Sequence, residues 1–158
     1  MKQPRQNILP DPKQQDIKYG SKRIGNADYA TSSHCVHRLI FHIVFVVKFR
    51  RQVLNPSRMN YLIALFPRIA SHYKYRLIEV NGEADHIHFL LEIPPSASVS
   101  TVVARLKSVS SKFFLNRYGS QFWGSHSRTL WNSGYFAAST GGVTLEVLKK
   151  YVENQGTR

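Results

Sequence analysis

The sequence predicts an α+β fold in which helices cover one antiparallel β-sheet. Two observations predict it: four segments are rich in β-branched and aromatic residues, and two longer segments repeat apolar residues with helical periodicity. Their order is strand, helix, strand, strand, helix, strand, which is the split βαβ arrangement of ferredoxin-like and RRM-like sandwiches. The predicted strands are residues 38–49, 75–81, 86–93 and 130–139, and the predicted helices are 55–73 and 98–118.

The first predicted strand ends in a compact basic cluster. Lys48, Arg50 and Arg51 could contact phosphates, and a solvated strand end explains them equally well. His42 lies earlier on the same strand, where a core or edge position is favoured over a part in a site.

The first predicted helix begins near Asn55 and continues to Tyr73, because apolar residues recur at i, i+4, i+7 and i+11. Pro67 lies inside this pattern and removes a backbone donor. We therefore expect a kink or a break near Leu65 or Phe66.

The next two strands form a predicted hairpin around a turn at residues 82–84. His86 and His88 stand two residues apart on its second strand, so both side chains point to the same face. Their Cα atoms are then roughly 6–7 Å apart, close enough for both rings to bind one divalent metal. For this motif alone, half-buried histidines bonded to the backbone are the simpler interpretation.

The second predicted helix is capped by Ser98 or Ser100, and its apolar side is expected to be Val102, Leu106, Val109 and Phe113. Arg105, Ser108 and Lys112 form a polar stripe on the opposite side. Such a stripe suits a nucleic-acid backbone, and ordinary solvated charges explain it equally well.

A third helical pattern follows Gly141 and Gly142 and covers residues 143–155. Tyr151 and Gln155 are one turn apart on its inward side, so a hydroxyl and an amide oxygen are presented together. A core tyrosine and a helix-terminal glutamine would show the same pattern.

The charge and composition limit the possible functions. The formal net charge of +13 favours a polyanionic partner, either nucleic acid or an acidic membrane surface. Residues 1–34 are polar and are predicted to be a flexible basic tail, and residues 35–158 form one domain. The single cysteine, Cys35, excludes an intrachain disulfide, and no apolar run is long enough to cross a bilayer, so we expect a cytoplasmic protein without membrane contact.

Several ordered motifs together carry a family resemblance. They are residues 42–51, the block 85–91 around His86 and His88, residues 130–136, the glycine pair, and residues 151–155. In this order and spacing, the chain from about Cys35 to Gln155 resembles the single-tyrosine HUH transposases of the insertion-sequence 200/605 superfamily. Ala84 stands where that family usually has a proline, which affects a turn rather than a ligand.

The resemblance implies a specific chemistry. Tyr151 would be the nucleophile that cleaves and rejoins single-stranded DNA through a 5′-phosphotyrosine, and His86, His88 and Gln155 would bind Mg²⁺ or Mn²⁺. The expected partners are DNA hairpins near transposon ends. A second copy of the chain is also expected, with Gly141 and Gly142 as a hinge that places the tyrosine helix in cis or in trans. Lys48, Arg50, Arg51, Arg105 and Lys112 are the candidate DNA contacts.

Three alternatives remain open at the level of sequence. A non-catalytic module of the same fold would bind single-stranded nucleic acid without forming a covalent product. A replication initiator or relaxase is disfavoured by the short chain. A metal phosphoesterase using His86, His88 and water would release product without a protein adduct.

Overall fold

A computed structural model describes residues 30–32, 34–119 and 129–141 of the chain. Two short strands come first, β1 (Ala30–Ser32) and β2 (Cys35–His37), and pair with each other. The remaining elements are β3 (Ile40–Val46), a 3₁₀ turn (Lys48–Arg50), α1 (Pro56–His72), β4 (Arg76–Glu83), β5 (His86–Glu92), α2 (Val99–Tyr118) and β6 (Phe136–Ser139). The predicted C-terminal helix, with Tyr151 and Gln155, lies outside the described residues, as do Gly142 and most of the segment 1–34.

The main sheet has the strand order β4-β5-β3-β6, and all neighbouring strands are antiparallel. This confirms the predicted α+β fold and the order of its elements. β3 and β5 occupy the centre, with Val44 opposite His88 and Val46 opposite His86. Because side chains opposite each other share a face, the register decides which residues meet His88.

The two described helices, α1 and α2, cover the same face of this sheet. Ile43 and Phe45 of β3 and Phe89 of β5 join a core with apolar side chains of α1 and α2. The ring of Phe66 on α1 lies 4.6 Å from that of Phe89, measured between centroids. The histidines of β5 alternate with these residues and therefore lie on the other face.

Both helices begin where the sequence predicts. The Asn55 side chain accepts a hydrogen bond from the Arg58 backbone nitrogen (2.9 Å), and Ser98 accepts one from Thr101 (3.2 Å). Ser98, rather than Ser100, is therefore the cap of α2. The expected break at Pro67 is wrong, since α1 continues through this residue to His72.

The buried side of α2 is rotated from the predicted one. Ser110, Ser111 and Phe114 are buried, whereas Val109 and Phe113 are only partly buried. Ser110 accepts a hydrogen bond from the Trp131 indole (2.9 Å), and Ser111 accepts one from the Leu130 backbone nitrogen. Two serines are thus buried because they satisfy donors of the segment that precedes β6.

Three other boundaries differ from the predictions. Gly82 and Glu83 belong to β4, so the hairpin turn lies at Ala84 and Asp85. β6 begins only at Phe136, and Trp131 forms an isolated bridge to Val47. The β1 strand was not predicted and occupies residues assigned to the tail. Within the described ranges, no helix combines the length and the apolar character needed to cross a membrane.

Candidate active site

The two histidines of β5 lie side by side on the sheet face opposite the helices. The ring centroids of His86 and His88 are 5.9 Å apart, and the ring planes differ by 28°. The alternation of the strand therefore places the two imidazoles together, as the sequence led us to expect.

A third imidazole lies next to this pair. The ring centroid of His42 on β3 is 6.0 Å from that of His88, in an edge-on arrangement, and 5.8 Å from the ring of Phe136. The sequence favours a core or edge position for His42, and its side chain is buried. Alternation along β3 indicated its face, but its proximity to His88 follows from the cross-strand register, which the sequence alone did not supply.

The ring of His88 is buried, and its two nitrogens have no hydrogen-bond partner among the described residues. The side chain is 1% exposed. Burial, with added repulsion from His42 and His86, lowers the pKa of His88 to about 4. Burial also lowers the pKa of His42. His88 is therefore a neutral imidazole with an available lone pair at neutral pH.

The orientation of His86 is fixed by the residue before it. Asp85 Oδ1 lies 2.8 Å from Nδ1 of His86, and Asp85 Oδ2 lies 3.5 Å from Nε of Arg50. The hydrogen bond from His86 lowers the pKa of Asp85, as do the charges of His86 and Arg50, against an opposing effect of burial. Because an ionised carboxylate only accepts, Nδ1 of His86 is the donor, and the lone pair of the neutral ring is then on Nε2.

The chemistry of these donors fits a divalent metal. A buried histidine whose nitrogens lack partners and a second histidine oriented by a carboxylate are typical of ligands and their supporting shell. In the described ranges, no group of three or more His, Cys, Asp and Glu side chains is placed to hold a metal ion. Two histidines alone leave further positions to other donors, and the third expected ligand, Gln155, lies outside the described residues.

The segment that leads into the expected hinge, Thr140 and Gly141, is hydrogen-bonded to the start of β3 and to Arg38 just before it. Gly141 adopts φ +61°, and its carbonyl accepts a hydrogen bond from Nη1 of Arg38 (3.1 Å). The backbone nitrogen and the hydroxyl of Thr140 both donate to the carbonyl of Ile40. A positive φ is readily adopted by glycine, so the chain can change direction at this point.

The five candidate DNA contacts form two separate groups. Lys48, Arg50 and Arg51 lie at the end of β3, on the side of Asp85 and His86, and Arg50 and Arg51 are exposed. Arg105 and Lys112 lie on α2, which packs against the opposite face of the sheet.

The two cations of α2 differ in their surroundings. Arg105 donates to the Tyr75 hydroxyl (2.9 Å) and stacks on the Tyr73 ring at 4.7 Å. Lys112 is exposed and lines a groove of about 640 Å³ together with Lys107, Ser108 and Asn116.

The chain matches the family model "Transposase IS200 like" over residues 35–155. Among curated proteins, the transposase for insertion sequence element IS200 of Salmonella typhimurium is 30% identical over 128 residues, which are 81% of this chain and 84% of that protein. The ISDra2 transposase TnpA of Deinococcus radiodurans is 28% identical over 123 residues, covering 76% and 86% of the two chains.

Two solved structures share the fold. A crystal structure described as that of a transposase from Deinococcus radiodurans superposes with a TM-score of 0.65 at 23% identity, covering 81% of this chain and 98% of that one. The structure of a REP-associated tyrosine transposase bound to a REP hairpin gives a TM-score of 0.51 at 11% identity, covering 78% and 69%.

Proposed function

Since the chain belongs to the IS200-like transposase family, we propose that it is a metal-dependent DNA strand transferase that uses Tyr151 as its nucleophile. It would cleave and rejoin single-stranded DNA at transposon ends through a 5′-phosphotyrosine. The observation that carries the proposal is the pair His86 and His88, one buried with both nitrogens lacking partners in the described residues, the other oriented by Asp85. The family match supports the sequence-based identification.

The histidines and Gln155 would form the metal site. His86, His88 and Gln155 would hold Mg²⁺ or Mn²⁺, and such an ion polarises a phosphate oxygen and stabilises the charge that develops on it. Asp85 keeps His86 in the tautomer that leaves Nε2 available. The low pKa of His88 keeps its ring neutral, as a ligand requires.

The covalent step conserves the phosphodiester. The Tyr151 oxygen loses its proton and forms a bond to the scissile phosphorus, while the bond from phosphorus to the 3′ oxygen breaks and a 3′-hydroxyl is released. Attack by another 3′-hydroxyl reverses these changes and returns the tyrosine. One phosphoester replaces another in each direction, so the reaction needs no nucleotide cofactor.

The substrate would be single-stranded DNA near subterminal hairpins, bound by a homodimer. The net charge of +13 supports a nucleic-acid partner, and one protein of similar fold is bound to a REP hairpin. The DNA backbone would be contacted by Lys48, Arg50, Arg51, Arg105 and Lys112. Gly141 and Gly142 would let the tyrosine helix complete the site of its own subunit or of the partner. DNA as the substrate is consistent with a cytoplasmic protein.

A covalent adduct tests the proposal. The purified full chain is incubated with Mg²⁺ and labelled single-stranded oligonucleotides that tile the DNA flanking its own gene, and SDS-resistant products are counted. We expect an adduct that is lost in Tyr151→Phe and in His86→Ala, and retained in the control Tyr135→Phe. Binding without any adduct would instead favour a non-catalytic module, and an adduct in Tyr151→Phe would refute the nucleophile.

A further inference from the structure

The turn that follows β3 has an unusual backbone. Phe49 adopts φ 61° and ψ 17°, and Arg50 adopts φ 51°, so two consecutive residues other than glycine are left-handed. This region is disfavoured for side chains with a Cβ atom, and for a bulky residue such as phenylalanine it is an outlier. Strained backbone of this kind persists where the surrounding structure fixes it, and it concentrates at functional sites.

The surroundings of the turn do fix it. The backbone nitrogen of Lys48 donates to the carbonyl of Leu130 (2.9 Å), and that of Arg50 donates to Val47 (2.8 Å). Val47 in turn donates to the carbonyl of Asp85 (2.8 Å), whose carboxylate lies 3.5 Å from the Arg50 guanidinium. The turn is therefore tied to the same residue that orients His86.

The ring of Phe49 gains little from burial. Its side chain is 74% exposed, the highest value among the exposed large apolar residues of the described ranges. The Lys48 ammonium lies 5.4 Å from the ring centroid, and Arg50 and Arg51 are exposed beside it. The strained turn thus presents an aromatic ring to solvent, with the Lys48 ammonium near the ring and two exposed arginines next in the sequence.

We propose that Phe49 stacks on an unpaired base of the single-stranded DNA next to the scissile phosphate. This inference rests on the proposed function and adds a specificity residue to it. An exposed aromatic ring among cations is the usual platform for single strands, because every base has a π-face and the adjacent phosphates are neutralised by the cations. The contacts that join the turn through Asp85 to His86 are the reason for assigning this base a position near the reacting phosphate.

Binding measurements separate stacking from other roles of the ring. The affinity of the full chain carrying Tyr151→Phe, which prevents cleavage, is measured for single-stranded oligonucleotides that tile the DNA flanking its gene. Adding Phe49→Ala should raise the Kd about 10-fold or more. Phe49→Leu should lose nearly as much, since a leucine keeps apolar volume without a π-face, and Phe49→Trp should keep or improve the affinity. Val36→Ala, an apolar truncation at another exposed position, should change nothing.

A second measurement locates the base. Abasic sites are introduced one at a time into the best-bound oligonucleotide. At one position, an abasic site should weaken binding to the chain that retains Phe49 about 10-fold. The same abasic site should not change the affinity of the chain with Phe49→Ala, because the two changes remove the same contact. If, at every position, the abasic site weakens binding equally in the chains with and without Phe49, the inference is overturned.

Phe49→Gly provides a third test, since glycine adopts φ +61° without steric conflict. We expect it to melt no earlier than the parent chain while binding single strands as weakly as Phe49→Ala. Early melting would mean that the ring stabilises the fold, which overturns the proposal.

The failure of this inference is distinguishable from that of the proposed function. If Phe49→Ala binds like its parent while the chain with Tyr151 forms adducts, only the stacking role is wrong. If no adduct forms and Phe49→Ala still binds weakly, strand transfer is wrong, and only the stacking of Phe49 on an unpaired base stands, without a scissile phosphate beside it.

Discussion

The carboxylate of Asp85 lies 2.8 Å from Nδ1 of His86, and it is the ionised partner in this hydrogen bond. The two residues are adjacent in sequence, at the point where the hairpin turn passes into β5. The turn therefore supplies the group that fixes the ring of the first strand residue. A histidine held in this way presents Nε2 in one direction, which is what a metal ligand requires.

Removing this carboxylate should weaken metal binding without removing a ligand. We expect Asp85→Asn to raise the Mn²⁺ concentration for half-maximal DNA cleavage about 10-fold, and Asp85→Ala to raise it up to about 100-fold. Asparagine retains an acceptor but not the charge, which explains the smaller effect. Glu79→Gln removes a charge from the neighbouring strand β4 and should leave the requirement unchanged. An unchanged requirement in Asp85→Ala would show that the carboxylate does not support the site.

Acid should destabilise the metal-free protein through His88. In the unfolded chain the pKa of this histidine is near 6.5, whereas in the fold it is about 4. Between these values the unfolded chain binds a proton that the folded chain does not, so the free energy of unfolding falls as the pH is lowered from about 6.5 to 4. Above pH 6.5 both states are neutral, and this contribution is complete.

Thermal melting in EDTA at a series of pH values measures this effect. In His88→Leu, the slope of unfolding free energy against pH should be smaller by up to about 1.4 kcal/mol per pH unit within that window. Part of the slope should remain, because burial lowers the pKa of His42 as well. Parallel curves for the two proteins would contradict the low pKa of His88.

Gly82 is required by close approach between β4 and β5. A Cβ atom at this position would overlap the carbonyl oxygen of His86 and lie 2.9 Å from Cα of Ile87. We expect Gly82→Ala to lower the free energy of unfolding by about 1–3 kcal/mol, since backbone atoms must move to make room. DNA cleavage should also fall under conditions where the variant is still folded, because the displaced backbone carries His86.

Gly134→Ala is the matched control, since a Cβ atom there meets nothing within 4 Å. Urea denaturation of both variants provides the comparison. Equal stability of the two would mean that the strands separate easily at Gly82.

The sequence was informative where one strand or one helix decides the outcome. Alternation along β5 placed His86 and His88 on the same face, and the Asn55 and Ser98 caps marked the starts of both helices. The predicted break at Pro67 is wrong, because α1 continues through it. Contacts between distant segments were not predictable: His42 meets His88 through the strand register, and Ser110 is buried because it bonds to Trp131.

Lys107 and Lys112 lie on the same helix but should respond differently to the loss of charge. The Lys107 ammonium binds the carbonyls of Asn132 (2.6 Å), Ser133 (3.2 Å) and Gly134 (2.7 Å), so Lys107→Met should cost about 1–3 kcal/mol of stability. Lys112 is exposed, so Lys112→Met should leave the melting temperature unchanged.

As a phosphate contact, Lys112 should also contribute to the salt dependence of DNA binding. Lys112→Met is expected to reduce the slope of log K against log salt by about 0.7–0.9. Titrations of a labelled oligonucleotide at several salt concentrations measure this slope. An unchanged slope would remove Lys112 from the DNA interface and leave it as a solvated charge.

If the chain forms the proposed homodimer, mixed dimers decide which subunit supplies Tyr151. The glycine hinge is compatible with a Tyr151 that acts in cis or in trans, and the left-handed Gly141 allows either path. Tyr151→Phe and His88→Ala should each be inactive alone. If the tyrosine acts in trans, a mixed dimer has one site with intact histidines from the first chain and an intact tyrosine from the second. Random pairing of equal amounts should then restore about a quarter of the wild-type adduct, because half of the dimers are mixed and each has one intact site.

If the tyrosine acts in cis, every site lacks one group and the mixture stays inactive. Co-purification of differently tagged subunits must show that exchange took place, and an inactive mixture of exchanged subunits would contradict the trans arrangement.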